Sequence, residues 1–263
     1  DLLTTADATT ARILAAQLEG LNNERKLLCD QVEAAAQEML VREPALLDGE
    51  MLVLLSPHWH AGVLGIVANR LAEQYRRPTL LLTQTPDGLA RGSARAAPGV
   101  DLGAAIAANA HLLERFGGHA GAAGLTVRPE RVPELRRALS NTVAAIRTTP
   151  ADAYTLALDA VLPLQELSLP LVHELNRLAP FGEGNPPVTL ATFDVTVQSH
   201  RLIGRNRRHR KLTIADTQGH VQDVVWWGGA DADLPEGALD VAYTLAQNEF
   251  RGDTSLQLIM RAV

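Results

Sequence analysis

The stretch MLVLLSPHWHAGVLGIVANRLAEQYRRPTLLLT (51–83) has the clearest secondary-structure pattern in the first half of this chain. It starts with the apolar run MLVLL (51–55), continues with AGVLGIVANRLAEQY (61–75), and ends with the apolar run TLLLT (79–83). Short apolar runs are typical of buried strands, whereas apolar residues at alternating three- and four-residue spacing are typical of an amphipathic helix. The stretch therefore predicts a strand, a helix and a strand, which together are the repeating unit of an α/β domain.

The sequence on both sides of this stretch predicts a compact α/β domain over residues 47–150. Pro86-Asp87-Gly88 is turn chemistry, and Asp101 can cap a helix that Gly117 can end. The further predicted elements are a strand at 89–96, a helix from Asp101 through Phe116, a strand at 122–127 and a helix at 131–147.

Residues 1–46 predict one long connecting helix. Thr4 to Asp7 has the spacing of a capping box, and Pro44 stops the helical pattern. The chain begins with Asp1 and opens almost directly into this helix, so we expect it to be a piece of a longer polypeptide.

The last third of the chain predicts a small β domain. Residues 151–184 are predicted as a linker segment with a strand at 152–163 and a short helix at 169–181. Residues 185–263 follow, with five strand-like runs separated by turn signals, and five short strands suit an oligonucleotide-binding (OB) barrel. The five runs are 188–199, 210–216, 220–227, 239–247 and 255–262. The fold class is thus α/β plus β: a long connecting helix, a mixed α/β domain and a five-stranded OB barrel.

Composition narrows the class of protein. The single cysteine, Cys29, excludes an internal disulfide framework and a cysteine-based zinc cluster. Neither a signal peptide nor an apolar run of membrane-spanning length is visible, so we expect a cytoplasmic protein with no membrane partner. No feature indicates an oligomer, and we expect a monomer.

Charge is distributed unevenly along the chain. The net charge is −6, yet HRLIGRNRRHRK (200–211) holds six Arg or Lys, and no acid lies between Asp194 and Asp216. Such a run favours binding to nucleic acid, because the concentrated positive charge repels itself unless an anion is present. The alternative is a solvated hairpin. An aromatic side chain for base stacking follows in the next predicted strand, where only one of Trp226 and Trp227 can face the groove, and we assign Trp226 to it. The basic candidates are Arg201, Arg205, Arg207, Arg208, Arg210 and Lys211.

RGSAR (91–95) offers a second anion-binding pattern. In a strand, residues two apart face the same side, so Arg91, Ser93 and Arg95 project together. Two guanidiniums and a hydroxyl on one face could clamp a terminal phosphate. A solvated sheet face is the other interpretation.

RFGGHAGAAGL (115–125) offers a third pattern. Gly117 and Gly118 permit positive φ, so successive backbone N–H groups could hold an anion while His119 donates to a phosphate oxygen. The alternative is a glycine helix C-cap with a histidine beside it. Motifs for nucleotide loops, nucleophile elbows and zinc proteases are missing from the sequence, as is any Asp and His cluster for a two-metal centre. The chain thus has substrate-holding features without a catalytic centre.

Four segments, taken in order, resemble the bacterial RecJ exonucleases, which belong to the DHH phosphoesterases. They are PHWHAGVLGIVANRLAEQYRRPTLLL (57–82), GSAR (92–95), RFGGHAGAAGL (115–125) and LAPFGEGNPPV (178–188). The resemblance implies resection of single-stranded DNA from a 5′ end with two Mn²⁺ or Mg²⁺ ions, held by an N-terminal DHH domain that this chain lacks. The chain resembles the rest: the connecting helix, the DHH-associated domain and the OB domain.

The resemblance also assigns roles to residues. Gly117, Gly118 and His119 match the loop that closes over the scissile phosphate, where His119 would polarise that phosphate. Ser93 and Arg95 match the pocket for the 5′-terminal phosphate, and the basic run with one tryptophan would guide the strand. We expect the chain to bind single-stranded DNA weakly, to cleave nothing alone, and to have a single-strand-binding protein as a partner.

Two alternatives stay open at this point. One is a non-catalytic single-strand-binding module, whose affinity would not depend on a 5′ phosphate and would come mainly from the basic run. An RNA-directed domain is the other, because DHH-associated domains also occur in alanyl-tRNA synthetases and small-RNA phosphodiesterases.

Overall fold

A computed structural model describes residues 1–148, 155–182, 184–204, 207–230, 232–250 and 252–262. The chain divides into two compact units, Asp1–Tyr154 and Thr155–Val263. The elements of the first unit are α1 (Ala8–Arg42), β1 (Leu52–Leu55), α2 (Leu64–Tyr75), β2 (Thr79–Gln84), β3 (Ala90–Arg95), α3 (Leu102–Ala108), β4 (Arg115–Gly118), β5 (Ala122–Val127) and α4 (Val132–Ile146).

Helix α1 is the long helix that the sequence predicts, and it ends at Arg42, before Pro44. Its cap is Asp7, not Thr4: the Asp7 carboxylate accepts hydrogen bonds from the backbone N–H groups of Thr9 and Thr10, at 3.2 and 2.8 Å. Burial is confined to the second half of the helix, which packs in the same core as α2. The buried residues are Cys29, Val32, Ala36 and Leu40.

The strand, helix and strand predicted over residues 51–83 are confirmed as β1, α2 and β2. The first sheet has the order β1-β2-β3-β5-β4, in which β1 and β2 are parallel and the other neighbours are antiparallel. Helices α1 and α2 pack on one face with Leu52, Leu54 and Leu81. Helices α3 and α4 pack on the opposite face, where Leu80 and Leu82 belong to the second core.

The helix predicted from Asp101 through Phe116 is wrong beyond Ala108. Asp101 caps α3 as predicted, its Oδ1 accepting from the N–H of Ala104 at 2.9 Å. The buried side chain of Asn109 then donates from Nδ2 to Ala105 O and to Thr142 Oγ1, both at 2.9 Å, and the chain turns. Arg115 to Gly118 form the edge strand β4. The interpretation of the two glycines as a helix C-cap is therefore wrong as well.

The second unit is mostly β. All five strand-like runs predicted beyond residue 185 are present as strands, and the helix predicted at 169–181 is present as α5 but ends at Asn176. The strand predicted at 152–163 is reduced to two residues, and its part at 152–154 lies outside the described residues. The elements are β6 (Ala160–Val161), α5 (Leu169–Asn176), β7 (Leu190–Ile203), β8 (His209–Ala215), β9 (Val221–Trp226), β10 (Ala238–Phe250) and β11 (Asp253–Ala262).

The strands of this unit pair in the order β10-β11-β9-β8-β7-β6. Strand β10 pairs with β7 as well, so the pairings of β7 to β11 close into a ring. The neighbours are antiparallel except β9 with β11 and β6 with β7, which are parallel. The core includes Leu212, Ile214 and Val224, together with Tyr243, whose hydroxyl shares a 2.7 Å hydrogen bond with Thr192 Oγ1. Across the described ranges, no helix combines the length and the apolar character needed to cross a bilayer.

Candidate nucleic-acid interface

Helix α2 packs on β2 and β3, and beyond it the same face of the first sheet continues over β3, β5 and β4. We call this part the open face. Residues paired directly across antiparallel strands point to the same side of a sheet. The open face therefore consists of three rows of side chains. The rows are Arg91, Thr126 and Arg115; Ser93, Gly124 and Gly117; and Arg95 with Ala122.

Each row of the open face has a polar side chain at its β3 end: Arg91, Ser93 or Arg95. Ala90, Gly92 and Ala94 are buried toward α3 and α4, whereas Arg91 is exposed and Ser93 and Arg95 are half-buried. Their spacing predicts this alternation. Gly92 is required by packing, because a Cβ there would lie 2.0 Å from the backbone oxygen of Leu81.

The Arg95 guanidinium lies against the first turn of α2. Its Nη1 donates to the carbonyl of Ala94 at 2.8 Å. A Cβ on Gly65 would come within 2.5 Å of its Nη2, so the absence of a side chain at Gly65 makes room for it. The positive end of the helix dipole lies at the same place, and the combination favours an anion beside Arg95 and Ser93.

His119 lies in the tight loop between β4 and β5, and its side chain is exposed. Its N–H donates to Ala122 O at 2.9 Å, and its Nδ1 accepts from the N–H of Gly121 at 3.2 Å. An imidazole whose Nδ1 accepts carries its proton on Nε2 when neutral. The loop therefore presents an Nε2–H donor to solvent.

Two further hydrogen bonds fix this loop. The N–H of Leu102, at the start of α3, donates to Ala120 O at 3.0 Å, and the N–H of Ala96, just after β3, donates to Gly121 O at 3.0 Å. The backbone of His119 also lies close to α3, since a Cβ on Gly103 would be 3.3 Å from its carbonyl carbon. His119 is thus held near the Arg95 end of the open face.

The two glycines before His119 have different roles. Gly118 has φ +156°, and a Cβ there would lie 2.4 Å from Ala122 O and 2.5 Å from Ala123 Cα. A Cβ on Gly117 would meet nothing within 4 Å. The fold needs a glycine at 118, whereas at 117 the missing side chain leaves free space over the sheet.

Arg115 and Thr126 complete the open face, and neither is indicated by the sequence pattern. The pattern predicts a helix through Arg115, and a helix does not relate this residue to Arg91. Had RFGG been interpreted as a strand paired with AAGLTV, the two-residue periodicity would have put Arg115 and Gly117 on one side.

The second unit carries a separate basic surface on β7 and β8. Arg201 and Lys211 are paired across these strands. They line a cavity of about 180 Å³ together with Ser199, His200, Thr213 and Asp223. Lys211 Nζ lies 2.8 Å from Asp223 Oδ2, and Thr213 Oγ1 donates to Asp223 Oδ1 at 2.9 Å.

Asp223 stays ionised in this surface. Partial burial raises the pKa of its carboxyl, but the hydrogen bonds from Lys211 and Thr213 and the charges of Lys211 and Arg201 bring the pKa below its ordinary value. The carboxylate therefore offsets part of the positive charge near Lys211 at neutral pH.

Arg210 lies inside the structure, away from the basic surface. Its side chain is buried, with Nη1 donating to Ala232 O at 2.9 Å and Nη2 to Ala230 O at 2.5 Å. It holds the segment after β9 in place, so we remove it from the set of DNA contacts. Arg207 and Arg208 are exposed, and Arg205 lies outside the described residues.

The burial of the two tryptophans is the reverse of the expectation. Trp226 packs against the core of the second unit, and a Cβ on Gly229 would lie 2.3 Å from its ring. Trp227 is 54% exposed, and its ring stands edge-on to that of His209 with centroids 4.8 Å apart. The accessible aromatic is therefore Trp227.

Comparison with known proteins matches both units. The DHHA1 domain model matches residues 48–145, and the RecJ OB domain model matches residues 158–262. The chain is 30% identical over 99% of its length to the single-stranded-DNA-specific exonuclease RecJ of Bacillus subtilis, and 31% identical over 99% to that of Haemophilus influenzae. It covers 33% and 47% of those two proteins, so it spans a third to a half of the curated relatives it matches.

A solved structure agrees with the sequence comparisons. RecJ of Thermus thermophilus in complex with Mn²⁺ superposes with a TM-score of 0.74 at 29% identity, over 97% of this chain and 36% of that one. Within the residues that our structure describes, no three His, Cys, Asp or Glu side chains gather in a group that could hold a metal ion.

Proposed function

This chain belongs to the RecJ family, and we propose on that premise that it is the substrate-binding part of a single-stranded-DNA-specific 5′-3′ exonuclease. The observation that carries the proposal is the open face, where three arginines and His119 surround a floor of glycine, serine, alanine and threonine. Positive side chains around free space over a sheet suit the backbone of a nucleic-acid strand. A DNA substrate would place the protein in the cytoplasm and in DNA recombination and repair.

The 5′-terminal phosphate binds beside Arg95 and Ser93. The guanidinium can donate two hydrogen bonds to a phosphate, the Ser93 hydroxyl a third, and the first turn of α2 adds favourable potential. A terminal phosphate carries more negative charge than an internal one, so this pocket would distinguish a phosphorylated 5′ end from a hydroxyl end.

His119 donates from Nε2 to an oxygen of the scissile phosphate and polarises it. The fixed loop and the free space at Gly117 would let that phosphate approach. Mn²⁺ or Mg²⁺ ions supply hydrolytic chemistry in such enzymes, but the described residues of this chain do not fit them. We assign the two ions to the DHH domain and derive no step through them, and we expect this chain alone to hydrolyse nothing.

Strands β7 to β11 form the five-stranded OB barrel, and the pairing of β10 with β7, which closes their ring, supports this assignment. Arg201, Arg207, Arg208 and Lys211 would contact phosphates along the incoming strand, and Trp227 would stack on a base. Arg205 and a single-strand-binding protein partner stay predictions, as does the monomeric state. We divide the chain into a connecting helix (1–46), a DHH-associated domain (47–150), a linker (151–184) and an OB domain (185–263).

The test is the affinity of this chain for two identical DNA single strands, one with a 5′ phosphate and one with a 5′ hydroxyl. We expect tighter binding of the phosphorylated strand and a loss of this preference in Arg95→Ala, because the charged donor at the pocket is gone. Gly65→Ala is the second variant: the added Cβ displaces the guanidinium without removing its charge, so the preference falls while the thermal stability is kept.

Equal binding of both strands by the wild-type chain would contradict the exonuclease proposal and favour a non-catalytic single-strand-binding module. Degradation of single strands by this chain with Mn²⁺, abolished in His119→Ala, would contradict the assignment of hydrolysis to another domain.

A further inference from the structure

We infer that Arg91 and Arg115 form a second phosphate site on the open face, for an internal phosphate of the bound strand. The inference rests on the proposed function, since it takes the strand to lie on this face. It adds a contact that is neither the 5′-terminal pocket nor the site of His119.

The two arginines lie on either side of Thr126 in the sheet. Arg91 and Arg115 are the cross-strand partners of Thr126 on either side. Neighbouring strands lie about 4.8 Å apart, so the two Cα atoms are roughly 10 Å apart, and two arginine side chains can meet over that gap. They border a cavity of about 270 Å³ whose lining includes Gly124. Thr126 is only 7% exposed although it lies on the open face.

The charges of these arginines are not neutralised by the residues around them. Neither side chain makes a hydrogen bond or an ion pair with another residue that the structure describes. Glu114, next to Arg115, is held by Arg128, whose Nε lies 2.8 Å from Glu114 Oε1. Asp87 feels the charge of Arg91, which helps to lower the pKa of its carboxyl, but the main cause of that shift is the hydrogen bond from Thr85.

Two like charges flanking a cavity attract an anion that can accept from both. Phosphate is such an anion, and bidentate arginine contacts to phosphate are common.

The spacing along the sheet requires a different phosphate from the one at Arg95. Arg91 and Arg95 are four residues apart on β3, which is about 13 Å in a strand. The Arg95 guanidinium is held at the carbonyl of Ala94 and beside Gly65 of α2, so a phosphate bound there lies at the opposite end of the open face from Arg91 and Arg115. The row of Ser93, Gly124 and Gly117 between them is nearly free of side chains, so sugar and backbone can cross it. The same strand can therefore place its 5′ phosphate at Arg95 and an internal phosphate at Arg91 and Arg115.

The experiment uses two competitors of a labelled single strand: thymidine 5′-monophosphate, which has no internal phosphate, and the 5′-phosphorylated thymidine trinucleotide. We expect the double variant Arg91→Ala and Arg115→Ala to bind the trinucleotide about tenfold more weakly, because charge-assisted hydrogen bonds to its internal phosphate are lost. The mononucleotide is expected to bind as before. Arg137→Ala is the matched control, since Arg137 is exposed on α4, which packs on the opposite face of the sheet. This variant should bind both competitors with unchanged affinity.

An equal loss of affinity for both competitors would overturn the inference, because the arginines would then belong to the terminal pocket or act only through the electrostatic field of their charges. No change for the trinucleotide would overturn it as well. Failure of the proposed function is seen separately: Arg95→Ala would then leave the mononucleotide unaffected, whatever the double variant does. Equal thermal midpoints of the wild-type and double-variant chains confirm that folding is not the cause.

Discussion

Gly118→Ala is expected to destabilise the first unit by about 3 kcal/mol and to abolish its preference for a 5′ phosphate. The new Cβ would lie 2.4 Å from Ala122 O and 2.5 Å from Ala123 Cα, and both of these atoms belong to the paired strand β5. Backbone atoms cannot move aside as the end of a flexible side chain can, and φ +156° adds strain for an alanine. Thermal unfolding and strand binding measure the two effects.

Gly117→Ala is the control beside it. Its Cβ meets nothing within 4 Å, so stability is expected to stay within about 0.5 kcal/mol. The methyl group would stand on the open face, and affinity for the single strand should fall. Equal stability of the two variants would contradict the structure of the hairpin, and unchanged binding in Gly117→Ala would contradict the use of this face.

Arg210→Ala is expected to destabilise the second unit by about 2 kcal/mol, because two carbonyl groups lose a charged donor. These are the carbonyls of Ala230 and Ala232, which Arg210 holds at 2.5 and 2.9 Å. The loss is kept moderate because the buried Nε of Arg210 has no partner among the described residues, and its removal relieves that cost. Urea unfolding followed by tryptophan fluorescence would report it, since Trp226 packs against the core of this unit.

Arg201→Ala separates binding from stability in the same unit. Arg201 is exposed at the basic surface, so unfolding should be unchanged while single-strand affinity falls and the salt dependence becomes shallower by about one counterion. If Arg210→Ala weakened binding without loss of stability, the sequence-based placement of Arg210 on the DNA would be right and its structural role wrong.

The parts of the fold that the sequence predicts are those with a strong local pattern. The apolar runs around α2 identify β1 and β2, and the regular turn signals identify β7 to β11. The end of α3 could not be predicted in this way, because it depends on the hydrogen bond from Asn109 to Thr142, 33 residues further along the chain. An alanine-rich segment favours continuing the helix, and this tertiary contact together with the pairing of β4 with β5 overrides that preference.

The site residues also divide into those that a local sequence pattern predicts and those that it does not. The two-residue periodicity of RGSAR placed Arg91, Ser93 and Arg95 on one side of β3, as the structure has them. Arg210 could have been assigned correctly, because it has the parity of Leu212 and Ile214, which are core residues. The tryptophans could not, since Val224 and Val225 before them are both buried and alternation does not separate their sides.

Binding of the DNA strand to the open face can be tested residue by residue in an amide chemical-shift titration of the isotope-labelled chain with a short 5′-phosphorylated DNA strand. We expect the largest changes at Ser93, Gly117, His119 and Gly124, on the open face of the first unit, with smaller ones around Arg201 and Lys211. Changes confined to the second unit, with the open face silent at saturation, would contradict this expectation.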